Sequence, residues 1–134
     1  MPIRALDHIA ITCADVDATL DFYQRVLGAT TLYEAEWRAG KIPVVILQIG
    51  ATRMSIHSAA APAKPHAHVP MPGSEDVCFR FDGPIREAVE LLERHRVEIV
   101  DGPVPRPAAD GQLGQSVYFR DPDGNLLELL STDG

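Results

Sequence analysis

The sequence has few cysteines, few cationic residues and no long apolar run, and each shortage narrows what the protein can be. Its 134 residues include 2 cysteines, Cys13 and Cys78, and both lie inside apolar segments. With no signal peptide and no apolar run of about 18 residues, this pattern indicates a reducing cytoplasm. Lysine and arginine number 12 against 19 acidic residues, which gives a net charge of −7. Because no basic patch can neutralise phosphates, nucleic acid and anionic membranes are poor partners.

Length and composition suit one domain with a sizeable core. A chain of 134 residues lies near the commonest domain size, and 46% of its residues are hydrophobic. We therefore expect a single domain over 1–134 whose partners are small molecules or proteins.

The first half of the chain predicts a strand, a helix and three strands. LDHIAIT alternates as a half-buried strand, and an apolar stripe at helical spacing then runs from a predicted N-cap at Asp15 to a stop at Gly28. Three more strands are predicted in TTLYE, PVVILQIG and TRMSIHS. The unit therefore has the order βαβββ.

The second half repeats this order. EDVCFRF predicts a strand, Pro84 suits the first turn of a helix, and VEIVDG, QSVYFR and NLLELLS predict three strands. The expected fold is thus α+β, with two βαβββ repeats at about 4–58 and 74–132 joined by a Pro- and Ala-rich linker, 59–73. Neither repeat is long enough to close its own core, so the sheets should join into one cupped mixed β-sheet with the helices on its outer face.

Alternation along the strands places four polar side chains on the face away from the helices. Superposing the repeats puts His8 on Asp76 and His57 on Glu128, and the apolar neighbours of each residue face the helix. Two imidazoles with carboxylates suit a divalent metal such as Zn²⁺, Ni²⁺, Mn²⁺, Fe²⁺ or Co²⁺. The sequence therefore predicts a metal site made by His8, His57 and Glu128, while Asp76 is either a fourth ligand or a brace at the end of a strand.

A structural role is the alternative for each of these residues. A single histidine or glutamate in a strand is more often structural than a ligand, so the prediction depends on their coincidence under the repeat. His66 and His68 lie in the linker and are expected to be solvated. His95, near the end of the second helix, is explained by the helix dipole and is assigned no chemistry.

Two longer stretches carry a family resemblance. LDHIAITCADVDATLDFYQRVLGATTL at the start and VYFRDPDGNLLELL at the end resemble the vicinal oxygen chelate superfamily, which contains glyoxalases, extradiol dioxygenases, fosfomycin-resistance proteins and bleomycin-binding proteins. The likeness covers nearly the whole chain and looks closest to small glyoxalase-like members. It implies paired βαβββ units, a divalent metal inside the cupped sheet and a homodimer. It also implies that His8, His57 and Glu128 are the ligands of the first, fourth and last strands.

The chain departs from the family patterns at two positions. Metal-dependent glyoxalases usually have a histidine at the start of the second unit and a glutamate in the fourth strand, where this chain has Asp76 and His57. Extradiol dioxygenases and fosfomycin-resistance proteins also take a histidine from the start of the second unit. Bleomycin-binding proteins need no metal.

The resemblance and the ligand set together predict a glyoxalase-like, metal-dependent lyase or isomerase. Its metal would chelate two neighbouring oxygens of a small substrate and stabilise the oxyanion formed during reaction. Asp76 and Glu128 are the predicted catalytic residues, with Asp76 a general base if it is not a ligand. The alternatives are an extradiol-type dioxygenase and a metal-independent protein that binds a drug or metabolite at a dimer interface.

Overall fold

A computed structural model describes residues 2–134 and contains α+β elements in two units, unit 1 (Met1–Gly73) and unit 2 (Ser74–Gly134). The elements follow the predicted order apart from an additional short helix in unit 1, but the strand predicted in VEIVDG is wrong over residues 97–100 and lies instead at 101–107. The strands of unit 1 form one sheet in the order β1-β4-β3-β2, with β1 parallel to β4 and the other pairs antiparallel. Its elements are β1 Ile9–Cys13, α1 Val16–Leu27, β2 Thr30–Leu32, α2 Glu34–Arg38, β3 Val45–Ile49 and β4 Thr52–Ser58.

Unit 2 has the same topology. Its sheet runs in the order β5-β8-β7-β6, again with the first strand parallel to the last. Its elements are β5 Asp76–Arg80, α3 Ile85–Arg94, β6 Asp101–Pro107, β7 Leu113–Arg120 and β8 Leu126–Ser131. Two βαβββ repeats are therefore confirmed, whereas their closure into a single domain stays a prediction. None of the helices found in residues 2–134 is long and apolar enough to cross a membrane.

Helix α1 begins and ends where the sequence predicts. The Asp15 side chain accepts a hydrogen bond from the backbone N–H of Ala18 at 3.1 Å, and Gly28 ends the helix in the left-handed region at φ 67°. One face of the helix is buried on the sheet, and this core of unit 1 includes Leu20, Tyr23, Val26, Ile11 and Ile56.

The short helix α2 was not predicted. The sequence suggested that the strand TTLYE extends to Glu34, but β2 ends at Leu32 because Tyr33 turns into the left-handed region at φ 65°. The following turn is then stabilised by an ion pair between Arg38 and Glu34, whose Nε and Oε2 lie 2.8 Å apart at the favourable i, i+4 spacing.

The register of unit 1 determines which polar residues lie beside one another. In the parallel pair β1–β4, Ala10 lies opposite Ser55 and Thr12 lies opposite His57. His8 lies two residues before Ala10 and just outside β1, which begins at Ile9, whereas Ala10 and Thr12 share one face of the sheet. Ser55 and His57 also share that face, because two residues separate them.

The register of unit 2 corrects the superposition of the repeats. Glu128 lies opposite Cys78, which follows Asp76 by two residues just as Ala10 follows His8. With His8 kept on Asp76, the counterpart of Glu128 is therefore Ser55, so the two superpositions cannot both hold and His57 is two residues out of register with Glu128. A slip of two residues leaves every side chain on its original face, so alternation alone could not reveal the error.

Candidate functional site

The four predicted polar residues divide equally between the two units. In unit 1, His8 lies immediately before β1 and His57 lies on β4, whereas Asp76 and Glu128 lie on β5 and β8 of unit 2. Each pair is therefore described on its own sheet.

Glu128 is held in a defined position on β8. Its neighbours Leu127 and Leu129 are 0% and 3% exposed in the core, which turns the half-buried glutamate to the opposite face. There its Oε2 accepts a hydrogen bond of 2.5 Å from the hydroxyl of Ser116, which is fully buried on β7. Hydrogen bonds of this kind orient the carboxylate ligands of metal sites.

The thiol of Cys78 lies beside the same carboxylate. Partial desolvation of the thiol, followed by the charge and the hydrogen-bonding of Glu128, raises the pKa of Cys78 to about 12. Although Cys78 is exposed, its thiol is therefore protonated at neutral pH and is a poor nucleophile.

A cavity of about 310 Å³ opens beside Glu128. Cys78 and Arg80 line it on one side, and Leu130 with residues 107–109 supplies apolar walls. The guanidinium of Arg80 is already engaged, because its Nη2 donates to the hydroxyl of Thr132 at 2.7 Å. Glu128 thus faces a space large enough for a small molecule.

His8 is oriented by its neighbour Asp7. The His8 Nδ1 and the Asp7 Oδ1 lie 2.7 Å apart, and an ionised carboxylate can only accept. In the neutral ring Nδ1 therefore carries the proton, and Nε2 keeps its lone pair. Metal-binding histidines commonly have this carboxylate partner on the other ring nitrogen.

His57 has a different environment. Its ring is half-buried, and its Nε2 lies 3.1 Å from the Ser55 hydroxyl. Burial is the main cause that lowers the pKa of His57, and the charges of His66 and His8 add to it. The ring is therefore neutral at neutral pH.

The structure does not bring the two imidazoles of unit 1 to one level of the sheet. His57 lies opposite Thr12, four residues beyond His8, which is about 13 Å of strand. Because each ligand atom lies about 2 Å from its metal ion, two ligands of one ion must be close neighbours. Within residues 2–134, no group of three or more His, Cys, Asp and Glu side chains could hold a metal ion. The trio of His8, His57 and Glu128 therefore stays a prediction.

The remaining candidates are exposed or serve as caps. Asp76 is the exposed first residue of β5 and lies opposite Leu126. His66 and His68 are exposed in the linker, as expected, and His95 is the C-cap of α3.

Sequence reasoning missed Ser116, although a signal for it was present. The DPDG turn joins β7 to β8, and the buried carboxylate of Asp121 holds it by accepting hydrogen bonds from the backbone N–H groups of Asp123 and Asn125. A tight turn sets the register of its antiparallel strands. Counting outward from it brings Tyr118 opposite Glu128 and places Ser116 on the same face.

Comparison with known proteins gives one family. Residues 5–129 match the family model described as Glyoxalase/Bleomycin resistance protein/Dioxygenase superfamily. The chain is 40% identical over 131 residues to the glyoxalase domain-containing protein RDO1 of Mycosarcoma maydis, which covers 98% of this chain and 70% of the relative.

Two bacterial proteins extend the comparison to solved structures. Virulence protein STM3117 of Salmonella typhimurium is 36% identical to this chain over 129 residues. The matched region covers 96% of this chain and 85% of the length of STM3117. Its crystal structure superposes with a TM-score of 0.87 at 35% identity and covers 98% of both chains. A variant of the fosfomycin resistance protein FosX from Listeria monocytogenes, in complex with Mn(II) and 1S,2S-dihydroxypropylphosphonic acid, superposes with a TM-score of 0.63 over 98% of this chain and 92% of its own. At 21% identity, that likeness shows the fold alone.

Proposed function

Because the chain belongs to the Glyoxalase/Bleomycin resistance protein/Dioxygenase superfamily, the vicinal oxygen chelate group indicated by its motifs, we propose that it is a glyoxalase-like, metal-dependent enzyme of lyase or isomerase type. The superfamily includes enzymes, and FosX shows that this fold accommodates Mn(II) with a small phosphonate. The observation that carries the proposal is the Glu128 carboxylate, held by Ser116 at the edge of a cavity. A glutamate placed there only for stability would not need an oriented carboxylate facing open space.

The donor chemistry of the chain fits a divalent metal. The neutral ring of His8 presents the lone pair of Nε2, because Asp7 accepts from Nδ1, and Glu128 presents a carboxylate oriented by Ser116. Imidazole and carboxylate donors suit Zn²⁺, Ni²⁺, Mn²⁺, Fe²⁺ or Co²⁺. We propose His8 and Glu128 as ligands, with His57, as the sequence predicted, or Asp76 as the third.

The side chains of the chain have separate tasks in this proposal. A bound metal would supply Lewis-acid stabilisation of an oxyanion on the substrate. Ser116 keeps the Glu128 carboxylate in place, and Cys78 remains a neutral thiol beside it. Asp76, exposed at the start of β5, is the candidate general base if it does not bind the metal. The homodimer and the cytoplasmic location expected from the sequence stay predictions.

Metal content tests the proposal. Elemental mass spectrometry of the untagged protein should find about one equivalent of a transition metal per chain. Removal by a chelator should lower the melting temperature by roughly 10 to 15 °C, as expected for a ligand present at a thousandfold its Kd. Glu128→Gln and His8→Ala should each lose the metal, whereas the control His68→Ala should retain it.

Two further variants identify the third ligand. If Asp76 binds the metal, Asp76→Asn should weaken binding at least tenfold and His57→Ala should leave it unchanged; the reverse result would assign His57. Wild-type metal affinity in both Glu128→Gln and His8→Ala would contradict the proposal. Turnover of hemithioacetals, α-hydroxy ketones and catechols by the metal-loaded protein would then distinguish isomerase from dioxygenase chemistry.

A metal-independent binding protein is the second candidate. It is favoured by the four-residue separation of His8 and His57 along the sheet of unit 1. Tight ligand binding that is unaffected by a chelator, in a protein that takes up no metal, would support it.

A further inference from the structure

We propose that the cavity beside His8 in unit 1 is an oxyanion subsite, in which Arg53 binds a carboxylate or phosphonate group of the substrate. The cavity has a volume of about 220 Å³ and is lined by Asp7, His8, Tyr33, Ile46, Arg53 and Ser55. Its identification as part of a substrate site rests on the proposed function, because His8 is a proposed metal ligand. Binding of the anion itself requires no metal.

Arg53 has a charge without a partner. Elsewhere in unit 1, Arg25 pairs with Asp21, and Arg38 pairs with Asp17 at 2.6 Å as well as with Glu34. The side chain of Arg53, like that of Arg4, makes no ion pair or hydrogen bond with any part of the chain that the structure describes. In a chain with 19 acidic and 12 basic residues, a cation left unpaired in a cavity is available for an anion from solution.

The floor of the cavity adds polar and apolar contacts on the same face of the sheet. Ser55 follows Arg53 by two residues on β4, is 5% exposed, and carries a hydroxyl that contacts the Nε2 of His57. Ile46 lies opposite Ser55 and supplies an apolar wall. A ligand here would meet a guanidinium at one end and a hydroxyl and an aliphatic surface farther along.

Among the residues that the structure describes, Asp7 is the one acidic residue that lines the cavity. Its side chain is 97% exposed and its Oδ1 is already occupied by His8 Nδ1 at 2.7 Å. Water and salt screen a charge in this position, so its repulsion of an anion at Arg53 is weak.

Tyr33 carries an unusual backbone at the mouth of the cavity. It adopts φ 65°, a left-handed conformation that is uncommon for a residue with a side chain, yet its own side chain provides no cap for α2. The ring is 55% exposed and lines the cavity. An outlier of this kind supports a role in binding, here as an aromatic edge for the body of the substrate.

The positions of Arg53 and His8 limit the size of the substrate. His8 and Arg53 both line this cavity, and they immediately precede Ile9 and Met54, which pair in parallel register, so the two residues lie close together. An anionic group at Arg53 would therefore lie only a few bonds from substrate oxygens near His8. Together with the small volume, this indicates a short acid that carries its oxygens close to a carboxylate or a phosphonate. Arginine binds either group through two parallel N–H donors.

Anion titration of the chelator-treated protein tests the subsite. Methylphosphonate and propanoate are titrated separately at constant ionic strength, with binding measured by calorimetry and by NMR of the His8 ring. Wild type should bind at least one of them, Arg53→Gln should bind it at least tenfold more weakly, and Arg53→Lys should be intermediate. Arg25→Gln, which makes the same charge change on α1, should bind as wild type. The anion with the higher affinity identifies the group as carboxylate or phosphonate.

The outcomes separate this inference from the proposed function. No binding of either anion, or equal binding by wild type and Arg53→Gln, would overturn the subsite. Because Arg53 is exposed, Arg53→Gln should melt within about 1 °C of wild type and should take up metal as wild type does. Absence of metal binding in all variants, together with anion binding that depends on Arg53, would refute the metal enzyme and keep the subsite.

Discussion

The environment of Cys78 allows a quantitative test of how Glu128 is placed. Desolvation, the Glu128 charge and its hydrogen bond raise the thiol pKa from 9.0 to about 12, so only about one thiol in a thousand is ionised at pH 9. A thiolate of higher pKa is also more nucleophilic, with a Brønsted slope of about 0.4 to 0.5. An unperturbed thiol is half ionised at this pH, so reaction of metal-free protein with a neutral disulfide at pH 9 should be roughly 15- to 30-fold slower than reaction of such a thiol.

Glu128→Gln is the informative perturbation. It removes the negative charge and the charged acceptor but leaves desolvation, the largest cause, in place. The thiol pKa should therefore fall without reaching 9, and the reaction should accelerate several-fold without reaching the rate of a free cysteine. The assay follows release of thiopyridone from 2,2′-dithiodipyridine across pH 8 to 11.

Two controls make the result interpretable. Glu90→Gln removes an exposed carboxylate from α3, where it should leave the rate unchanged. Cys78→Ser should abolish the reaction, because Cys13 is buried. A wild-type rate equal to that of glutathione, or an identical pH profile in Glu128→Gln, would refute the placement of the Glu128 carboxylate against the thiol.

Two further predictions concern backbone fit and pH. Gly102 has φ 98°, and a Cβ there would collide with the backbone carbonyl oxygen of Ser116, so Gly102→Ala should lower the free energy of unfolding by about 2 to 4 kcal/mol in urea. At Gly40, which has φ 74°, an added Cβ would meet no described atom within 4 Å, so Gly40→Ala should lower the free energy of unfolding by only about 1 kcal/mol. Equal losses in the two variants would show that the protein relieves the collision at Gly102. Burial lowers the folded-state pKa of His57 below 6.5, so the unfolded chain binds a proton first and stability should fall as the pH drops below 6.5. NMR titration of the His57 ring in metal-free protein should give a midpoint below pH 6.5. His57→Gln should reduce the loss of stability at low pH. A midpoint above pH 6.5 would contradict the lowered pKa.

Much of the fold follows from local signals in the sequence. Asp15 and Gly28 bound α1 as predicted, because capping depends on a few neighbouring atoms. Glu128 faces away from the core because Leu127 and Leu129 occupy the buried face, which alternation also predicts. The short helix α2 was missed because it begins at a left-handed tyrosine, a conformation that residue type does not favour.

The candidate site was less predictable because its groups come together through strand pairing. By itself, the sequence determined the two repeats, the face on which each polar side chain lies and the family. Only the tertiary structure decided which of these side chains are neighbours. It placed Ser116 and Cys78 beside Glu128, Arg53 beside His8, and Ser55 rather than His57 at the position that matches Glu128. The physical reason is that alternation repeats every two residues and so cannot distinguish registers that differ by two, whereas the backbone hydrogen bonds between strands select one of them.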